Sequence, residues 1–357
     1  MIKYLGSKRR LVPVLGEVAA RAGARTAVDL FTGTTRVAQE LKRRGARVWT
    51  VDTARYSEVF ARTYVETDAH RIDRPALVRA VAELNGLPGR PGYVTETFCH
   101  RSRFFQPKNG MRIDAIRDAI RDRYAGSPLE PILLTSLIEA ADRVDSTTGV
   151  QMAYLKDWAP RSYRDLELRV PALLPGPGHA LRADAARAVR SVPAVDLAYL
   201  DPPYNQHRYF ANYHVWETLV AWDGPAVYGV ACKRVDARDP GTASRFNRRG
   251  EIHHALAEVV AAVRARVVVL SFSDEGWMTL PELVEMASGQ GHVRTLSFDS
   301  RRYVGAQIGI HDPRGRKVGT VSHLRNTEHL LIAGERAEVE ELARGFPAAT
   351  PEPVPTP

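Results

Sequence analysis

A short apolar run that ends in an acid, two prolines and an aromatic residue constrains this chain more than any other feature. Residues 195–200 read Val-Asp-Leu-Ala-Tyr-Leu, and Asp201, Pro202, Pro203 and Tyr204 follow at once. The apolar run predicts a buried strand, and the two prolines end its hydrogen-bond ladder and stiffen the loop. Asp201 then lies at the carboxyl end of a strand, where open α/β sheets bind their ligands. A fixed carboxylate beside an aromatic face is suited to holding an exocyclic amino group while stacking on the ring that bears it.

A second strand-and-turn pattern lies near the amino terminus. Residues 26–31 are largely apolar, Gly33 follows, and apolar residues recur at helical spacing after it. Because glycine permits close backbone approach and a helix N-terminus offers free amides, this pattern predicts half of a nucleotide-binding unit. The next strand ends in Asp52, at the spacing from the glycine turn at which a carboxylate meets a ribose diol. A cap for the following helix is the alternative role for Asp52.

Both patterns resemble motifs of the D12-class DNA adenine N6-methyltransferases. Residues 201–204 resemble motif IV, and residues 29–35 resemble motif I, although Thr35 stands where the family has its last glycine. Residues 4–8 resemble motif X, and Asp184, which follows a short strand, matches the acid of motif III. The motif order X, I, IV agrees with this class along nearly the whole chain.

The resemblance implies a reaction and a set of site residues. Enzymes of this family transfer a methyl group from S-adenosylmethionine to the N6 amino group of adenine in double-stranded DNA, with no metal and no covalent intermediate. The implied catalytic residues are Asp201, Pro202 and Tyr204. The implied cofactor-binding residues are Tyr4, Lys8, Asp29, Gly33, Asp52 and Asp184.

The succession of strands predicts an α/β fold. We expect a doubly wound, mostly parallel, Rossmann-like methyltransferase sheet of about seven strands. Residues 1–55 and 179–335 are assigned to this S-adenosylmethionine-dependent domain. Residues 56–178 lose the strand–helix alternation and predict a helical insertion, which the resemblance identifies with recognition of the DNA target. Residues 336–357 are assigned to a tail that is Pro-rich and disordered at its end.

The charge balance favours a polyanionic partner. The 357 residues include 50 Lys and Arg against 41 Asp and Glu, which gives a net charge of +9. A polar loop at residues 145–151 could enter the major groove, and a basic loop at residues 301–317 carries further cations. Ion pairs on solvated helix faces are the alternative explanation for the arginines. The candidates for DNA contact are Arg101, Arg103, Lys108, Arg112, His207, Arg208, Arg245, Arg248 and Arg249.

The cysteines and the hydropathy limit the setting. Cys99 and Cys232 are the only cysteines, so a disulfide framework and a zinc site are not expected. A reducing cytoplasm, in association with the nucleoid, is the simple inference. No apolar run reaches the eighteen or so residues of a membrane span. We expect a monomer, with a cognate restriction enzyme as a candidate partner.

Three alternative functions stay open. The first is N4-cytosine methylation, for which the family more often has serine in place of Asp201. The second is methylation of adenine in RNA. The third is a DNA-binding protein that keeps the fold without turnover, which the departure at Thr35 permits.

Overall fold

One seven-stranded sheet organises the molecule. The computed structural model describes residues 2–6, 8–301, 310–311, 317–319 and 325–347. Its strands are β1 (Thr26–Asp29), β2 (Arg47–Asp52), β3 (Gly178–Arg182), β4 (Val195–Leu200), β5 (Ala265–Ser273), β6 (His292–Arg301) and β7 (Arg325–Gly334). The sheet has the strand order β3-β2-β1-β4-β5-β7-β6. Strands β1 to β5 run parallel, and β7 is antiparallel to both of its neighbours. The predicted doubly wound, mostly parallel sheet of seven strands is confirmed.

Helices cover both faces of the sheet. They are α1 (Val12–Arg21), α2 (Arg36–Arg43), α3 (Arg55–Ala61), α4 (Arg74–Gly86), α5 (Pro107–Tyr124), α6 (Glu130–Val144), α7 (Ala185–Ala188), α8 (Tyr209–Asn212), α9 (His214–Ala221), α10 (Ile252–Ala262), α11 (Leu280–Ser288) and α12 (Arg336–Ala343). Because strand side chains alternate, Tyr199 packs into the cluster that contains α1 to α6 and α9, whereas Leu200 packs against α7, α10 and α11. The sheet is therefore buried on both sides, as its apolar strands require.

The predicted insertion, residues 56–178, is mostly helical. It includes two π-helical turns, Arg62–Glu66 and Thr95–His100. Its buried residues, such as Phe98 and Leu137, belong to the same hydrophobic cluster as one face of the sheet. The insertion thus packs as a further layer on the sheet, with a shared core. Its role in target recognition stays a prediction.

The segment assigned to the tail begins as an element of the fold. Residues 336–343 form α12, in which Val339 and Leu342 are buried against the sheet's hydrophobic cluster. Because Val339 and Leu342 are three residues apart, they lie on the same face of the helix and pack against the sheet. The charged residues around them hide this pattern in the sequence. Residues 348–357, Ser7 and most of the basic loop at 301–317 lie outside the described residues.

The polar loop at residues 145–151 is not an exposed DNA-contacting loop. Asp145, Ser146 and Gln151 are buried. The Gln151 side-chain oxygen accepts a hydrogen bond from the Val215 amide at 2.8 Å, and Asp145 pairs with Arg161 at 2.7 Å. Because buried polar groups need internal partners, this loop joins the insertion to α9, and the expectation that it enters a DNA groove is wrong.

Candidate active site

The carboxyl ends of β1, β2 and β4 meet at one edge of the sheet, beside a cavity of about 420 Å³. This is the edge at which doubly wound sheets bind ligands. Five of the predicted catalytic and cofactor-binding residues line the cavity: Tyr4, Gly33, Asp52, Asp184 and Asp201. Lys8, Asp29, Pro202 and Tyr204 do not line it, and their contacts are described below.

Gly33 and Tyr4 form one corner of the cavity together. Gly33 has a φ of +49°, and a Cβ added there would lie 3.2 Å from an atom of the Tyr4 ring. Tyr4 in turn stacks on Tyr213, with ring centroids 4.7 Å apart, and on Tyr209 at 5.4 Å. Glycine is therefore needed both for the backbone conformation and for the approach of Tyr4. The N-terminal segment is held on the turn by aromatic packing.

Thr35 keeps the backbone conformation of the glycine that it replaces in the motif. Its φ of 63° and ψ of 13° are left-handed, and its side chain is fully buried. The Thr35 hydroxyl donates to the Thr34 carbonyl at 2.6 Å and accepts from the Gln39 amide at 2.8 Å. A β-branched residue in this region is strained, so these bonds offset a conformational cost. The substitution therefore leaves the turn before α2 in the conformation that a glycine favours.

Each of the two carboxylate oxygens of Asp52 accepts a hydrogen bond from a backbone amide. Oδ2 accepts from the Gly33 amide at 2.8 Å, and Oδ1 accepts from the Ala54 amide at 2.9 Å. Burial raises the pKa of Asp52, and these amide bonds oppose the rise. Asp52 thus fixes the glycine turn and the start of α3 at the same time. Asp52 also lines the cavity.

Asp29 and Asp184 have different surroundings. Asp29 ends β1 and is buried; its Oδ2 accepts from the Thr32 hydroxyl at 3.1 Å, and its Oδ1 has no partner among the described residues. Burial raises the pKa of Asp29 to about 7, and the Thr32 bond opposes this. Asp184 lines the cavity and caps α7 through the Ala186 amide at 3.0 Å.

A loop that the sequence interpretation assigned to phosphate contacts forms the opposite wall. Residues 241–247 line the cavity, and Phe246 packs edge-on against Phe31 with ring centroids 4.9 Å apart. The Asn247 amide donates to the carbonyls of Asn205 and His207 at 2.7 and 3.1 Å, which joins this wall to the loop after β4. In the sequence, the aromatic Phe246 stands between polar residues, which is consistent with a place in a ligand site. The arginines beside it favour the interpretation as a phosphate-binding loop instead.

Glu217 is a second cavity residue that the motifs did not indicate. It lies on α9, is buried, and accepts a hydrogen bond from the Arg55 amide at 2.7 Å. Burial raises its pKa to about 7, and the Arg55 amide bond opposes the rise. No motif spacing connects Glu217 to α3, because the contact spans the whole insertion.

Asp201 forms an ionic cluster with Lys8 and Glu328. The Lys8 ammonium lies 3.1 Å from Asp201 Oδ1 and 2.8 Å from Glu328 Oε2. Burial raises the pKa of Asp201 to about 6, with Lys8 lowering it and Glu328 raising it. Burial opposes the charge on Lys8, yet the two carboxylates raise the pKa of Lys8 well above its ordinary value. Lys8 is thus a partner of the predicted catalytic carboxylate; the structure does not bring it to the cavity wall.

Tyr204 lies just beyond this cluster. Its ring is half-buried, with a centroid 5.4 Å from that of Phe272 and 5.6 Å from the Lys8 ammonium. The Tyr204 carbonyl accepts from the Trp277 amide at 3.0 Å, so the turn after β5 supports the loop. Pro202 is buried between Asp201 and this loop. The structure therefore brings the three predicted catalytic residues together at the end of β4.

The cationic candidates in the insertion differ in what they contact. Arg101 is exposed, whereas Lys108 pairs with Asp165 at 2.6 Å. Arg103 lies over the Trp158 ring at 4.7 Å. The Arg112 guanidinium donates to the carbonyl of Asn85 at 2.8 Å and so supports packing within the insertion.

The candidates around the cavity are also divided. His207 and Arg249 are exposed, and Arg208 donates to the Thr242 hydroxyl at 3.5 Å. Arg245 lines the cavity and pairs with Glu258 at 2.7 Å, and Arg248 pairs with Glu251 at 2.8 Å. Intramolecular pairing thus accounts for several of the predicted DNA contacts, and DNA binding by any of them stays a prediction.

The sheet order, with a cavity and an Asp-Pro-Pro-Tyr loop at the carboxyl ends of its strands, is consistent with a Rossmann-like methyltransferase fold. None of the helices in the described ranges is long and apolar enough to cross a bilayer. The chain belongs to the D12 class N6 adenine-specific DNA methyltransferase family, whose model matches residues 4–285.

Curated relatives agree with this assignment. The chain is similar to the type II methyltransferase M.NlaIII of Neisseria lactamica, with 28% identity across 85% of this chain and 92% of that protein. It is also similar to the modification methylase StsI of Streptococcus sanguinis and to the type II methyltransferase M.FokI of Planomicrobium okeanokoites, each with 26% identity. These two matches cover 85% and 81% of this chain but only 49% and 47% of the relatives, so the chain spans about half their length.

Proposed function

We propose that this protein transfers a methyl group from S-adenosylmethionine to the N6 amino group of adenine at a specific site in double-stranded DNA, after the target base has rotated out of the helix. The observation that carries the proposal is Asp201, which directly follows β4, lines the cavity and contacts Lys8. The family assignment supports the base and the type of reaction.

The residues around the cavity fit S-adenosylmethionine. The volume of about 420 Å³ lies within the range of about 300–1,000 Å³ that is usual for ligand sites. Phe31 and Phe246 would contact the purine, Asp52 the ribose hydroxyls and Gly33 the backbone side of the ligand. Asp29, which lies behind the cavity wall, would be close to the methionine part of the ligand without lining the cavity itself. When bound, the cofactor supplies an electrophilic methyl group on sulfonium.

Asp201 and Pro202 would prepare the adenine nitrogen. The amino lone pair of adenine is delocalised into its ring, so N6 is a weak nucleophile. Hydrogen bonds from the two amino hydrogens to the Asp201 carboxylate and the Pro202 carbonyl hold N6 nearer to sp³ geometry. The positive charge that develops on N6 is then stabilised by Asp201, and fixed positions supply much of the remaining rate.

The target adenine must leave the duplex to reach Asp201, which costs a few kcal/mol. Stacking on the Tyr204 ring would offset about 1–3 kcal/mol of that cost. Tyr204→Ala should therefore lower the rate, and Tyr204→Phe should retain much of it. The fluorescence of 2-aminopurine at the target position should rise on binding, and an abasic site opposite the target should tighten binding. Quenched fluorescence together with no gain from the abasic site would move single-stranded DNA or RNA ahead as the substrate.

DNA affinity should depend strongly on salt, because cations release counterions from phosphates. Charge reversal at Arg101, Arg103 and Lys108 should weaken binding to any duplex, as should reversal at Arg245, Arg248 and Arg249. Arg112→Glu serves as the comparison, since it should lower the melting temperature through the lost Asn85 contact. If neither triple variant changes DNA affinity at moderate salt, the net positive charge of the chain does not reflect DNA binding by these residues.

We further propose a monomer that acts on nucleoid DNA in the cytoplasm, with a cognate restriction enzyme as a candidate partner.

Transfer of a tritiated methyl group from S-adenosylmethionine, measured on duplex DNA, single-stranded DNA and RNA, tests the function. Digestion of the product to nucleosides should give N6-methyladenosine in its deoxy form. Label in N4-methylcytosine or in RNA would replace the proposed substrate, and binding of DNA with no transfer would favour a silent relative.

A further inference from the structure

Glu328 is a charged residue at the catalytic edge that none of the motifs includes. It lies near the beginning of β7, which runs opposite to β4, so its side chain reaches the edge at which Asp201 lies. The Glu328 side chain is 15% exposed and that of Lys8 is 6% exposed. The separation of 320 residues between Lys8 and Glu328 explains why no sequence pattern connects them.

One ammonium group is shared by two carboxylates in this cluster. Lys8 contacts Glu328 at 2.8 Å and Asp201 at 3.1 Å, so its shorter contact is to Glu328 and not to the predicted catalytic carboxylate. With all three side chains ionised, the cluster carries one net negative charge. A lysine paired with Asp201 alone would instead give a neutral cluster.

We propose that Glu328 is a positioning residue that draws the Lys8 ammonium away from full pairing with Asp201, so that Asp201 keeps its negative charge for the amino group that is methylated. The inference rests on the proposed function of this site. It assigns Lys8 the task of holding Asp201 in place, and Glu328 the task of preserving the strength of Asp201 as an acceptor.

The physical reason is electrostatic. As the N–C bond forms, positive charge develops on N6, and a cluster with net negative charge stabilises it more than a neutral cluster does. Two carboxylates without Lys8 would repel each other at this partly buried edge, and one of them would take up a proton. One lysine between two acids therefore leaves the cluster with a net negative charge and also prevents the two carboxylates from repelling each other.

The pH dependence of the rate reports this balance, because Asp201 must be ionised to act. The groups that face Asp201 are Lys8, Glu328, Tyr199, Tyr204, Tyr209 and Asp29. Glu328 raises the pKa of Asp201 and Lys8 lowers it. Removal of the Glu328 charge should therefore shift the acid limb of kcat to lower pH, and removal of the Lys8 charge should shift it to higher pH.

The experiment compares Glu328→Gln, Lys8→Gln and the double variant at saturating DNA and cofactor. Glu328→Gln should lower kcat at neutral pH by about tenfold or more, with little change in the KM values. The double variant restores the net charge of the cluster, so its kcat should exceed that of either single variant. Glu275→Gln, an exposed carboxylate on the turn after β5, removes the same charge nearby and should leave the acid limb in place.

The outcomes separate this inference from the proposed function. A wild-type protein that does not methylate adenine overturns the function. An active wild type whose Glu328→Gln variant keeps the rate and the acid limb overturns only the role of Glu328, as does a double variant slower than both singles. If Glu328→Gln does not fold, the pH profile of Lys8→Gln decides, because charge sharing requires its acid limb to lie at higher pH than that of the wild type.

Discussion

Two regions of the same sheet edge hold a carboxylate in opposite ways. In the proposed cofactor region, Asp52 is fixed by the backbone amides of Gly33 and Ala54, with bonds of 2.8 and 2.9 Å. In the proposed target region, Asp201 contacts a side chain, Lys8, which it shares with Glu328. The first carboxylate is held by main-chain amides, and the second belongs to a cluster of charged side chains.

The difference follows from what each region has to do. A carboxylate that binds hydroxyl groups needs a fixed position, and amide donors of the main chain provide it without adding charge. A carboxylate that stabilises developing charge needs a controlled electrostatic environment, which the ionised side chains of Lys8 and Glu328 provide here. Substitution should therefore affect binding in the first region and rate in the second.

The largest effect should come from Asp201→Asn. Its contribution is made in the transition state, so kcat should fall by about 100-fold or more while cofactor and DNA affinities stay close to wild type. Because burial raises the pKa of Asp201 to about 6, wild-type kcat should rise with pH through that value as the carboxylate ionises. A variant that keeps more than about a tenth of the rate would contradict the catalytic role.

Asp52→Ala should have the next largest effect, and on binding. It removes the acceptor for the Gly33 amide and the proposed acceptor for the ribose hydroxyls, so cofactor affinity measured by calorimetry should fall by about tenfold or more. The rate at saturating cofactor should change much less. Unchanged affinity would show that Asp52 only fixes the turn and the start of α3.

The two regions also differ in how well the sequence predicted them. Strand ends, the glycine turn and the Asp-Pro-Pro-Tyr loop are local patterns, so the sheet and the positions of Asp52 and Asp201 followed from the sequence. Glu328 and Phe246 were missed, because each reaches the site through a contact distant in sequence. Lys8 was assigned to the cofactor, because its motif indicates nearness to the site and not which side chain it pairs with.

Asn247 links the two regions, and its loss should have a smaller effect. Its amide donates to the carbonyls of Asn205 and His207, which follow the catalytic loop. Asn247→Asp keeps the size and removes both hydrogen bonds, so the gain in DNA affinity caused by a cofactor analogue should shrink by about fivefold or more, the equivalent of at least one hydrogen bond. An unchanged gain would mean that the two regions act independently.

The smallest expected effect concerns Thr35, within the cofactor region, and the stability of the fold. Its left-handed φ of 63° is imposed by the turn before α2, so the residue that suits the backbone best is glycine. Thr35→Gly and Thr35→Ala both lose the contact of the hydroxyl with Gln39, but only alanine retains the left-handed strain.

The glycine variant should therefore be more stable than the alanine variant by about 1 kcal/mol in chemical unfolding, the reverse of their order inside a helix. Both variants should leave the acid limb of kcat where it is, because Thr35 has no contact with the cluster of Lys8, Asp201 and Glu328 among those described. An alanine variant as stable as the glycine variant would show that the turn relaxes when the threonine is removed. The rigidity of the cofactor region would then depend on the Asp52 bonds and not on the backbone of the turn itself.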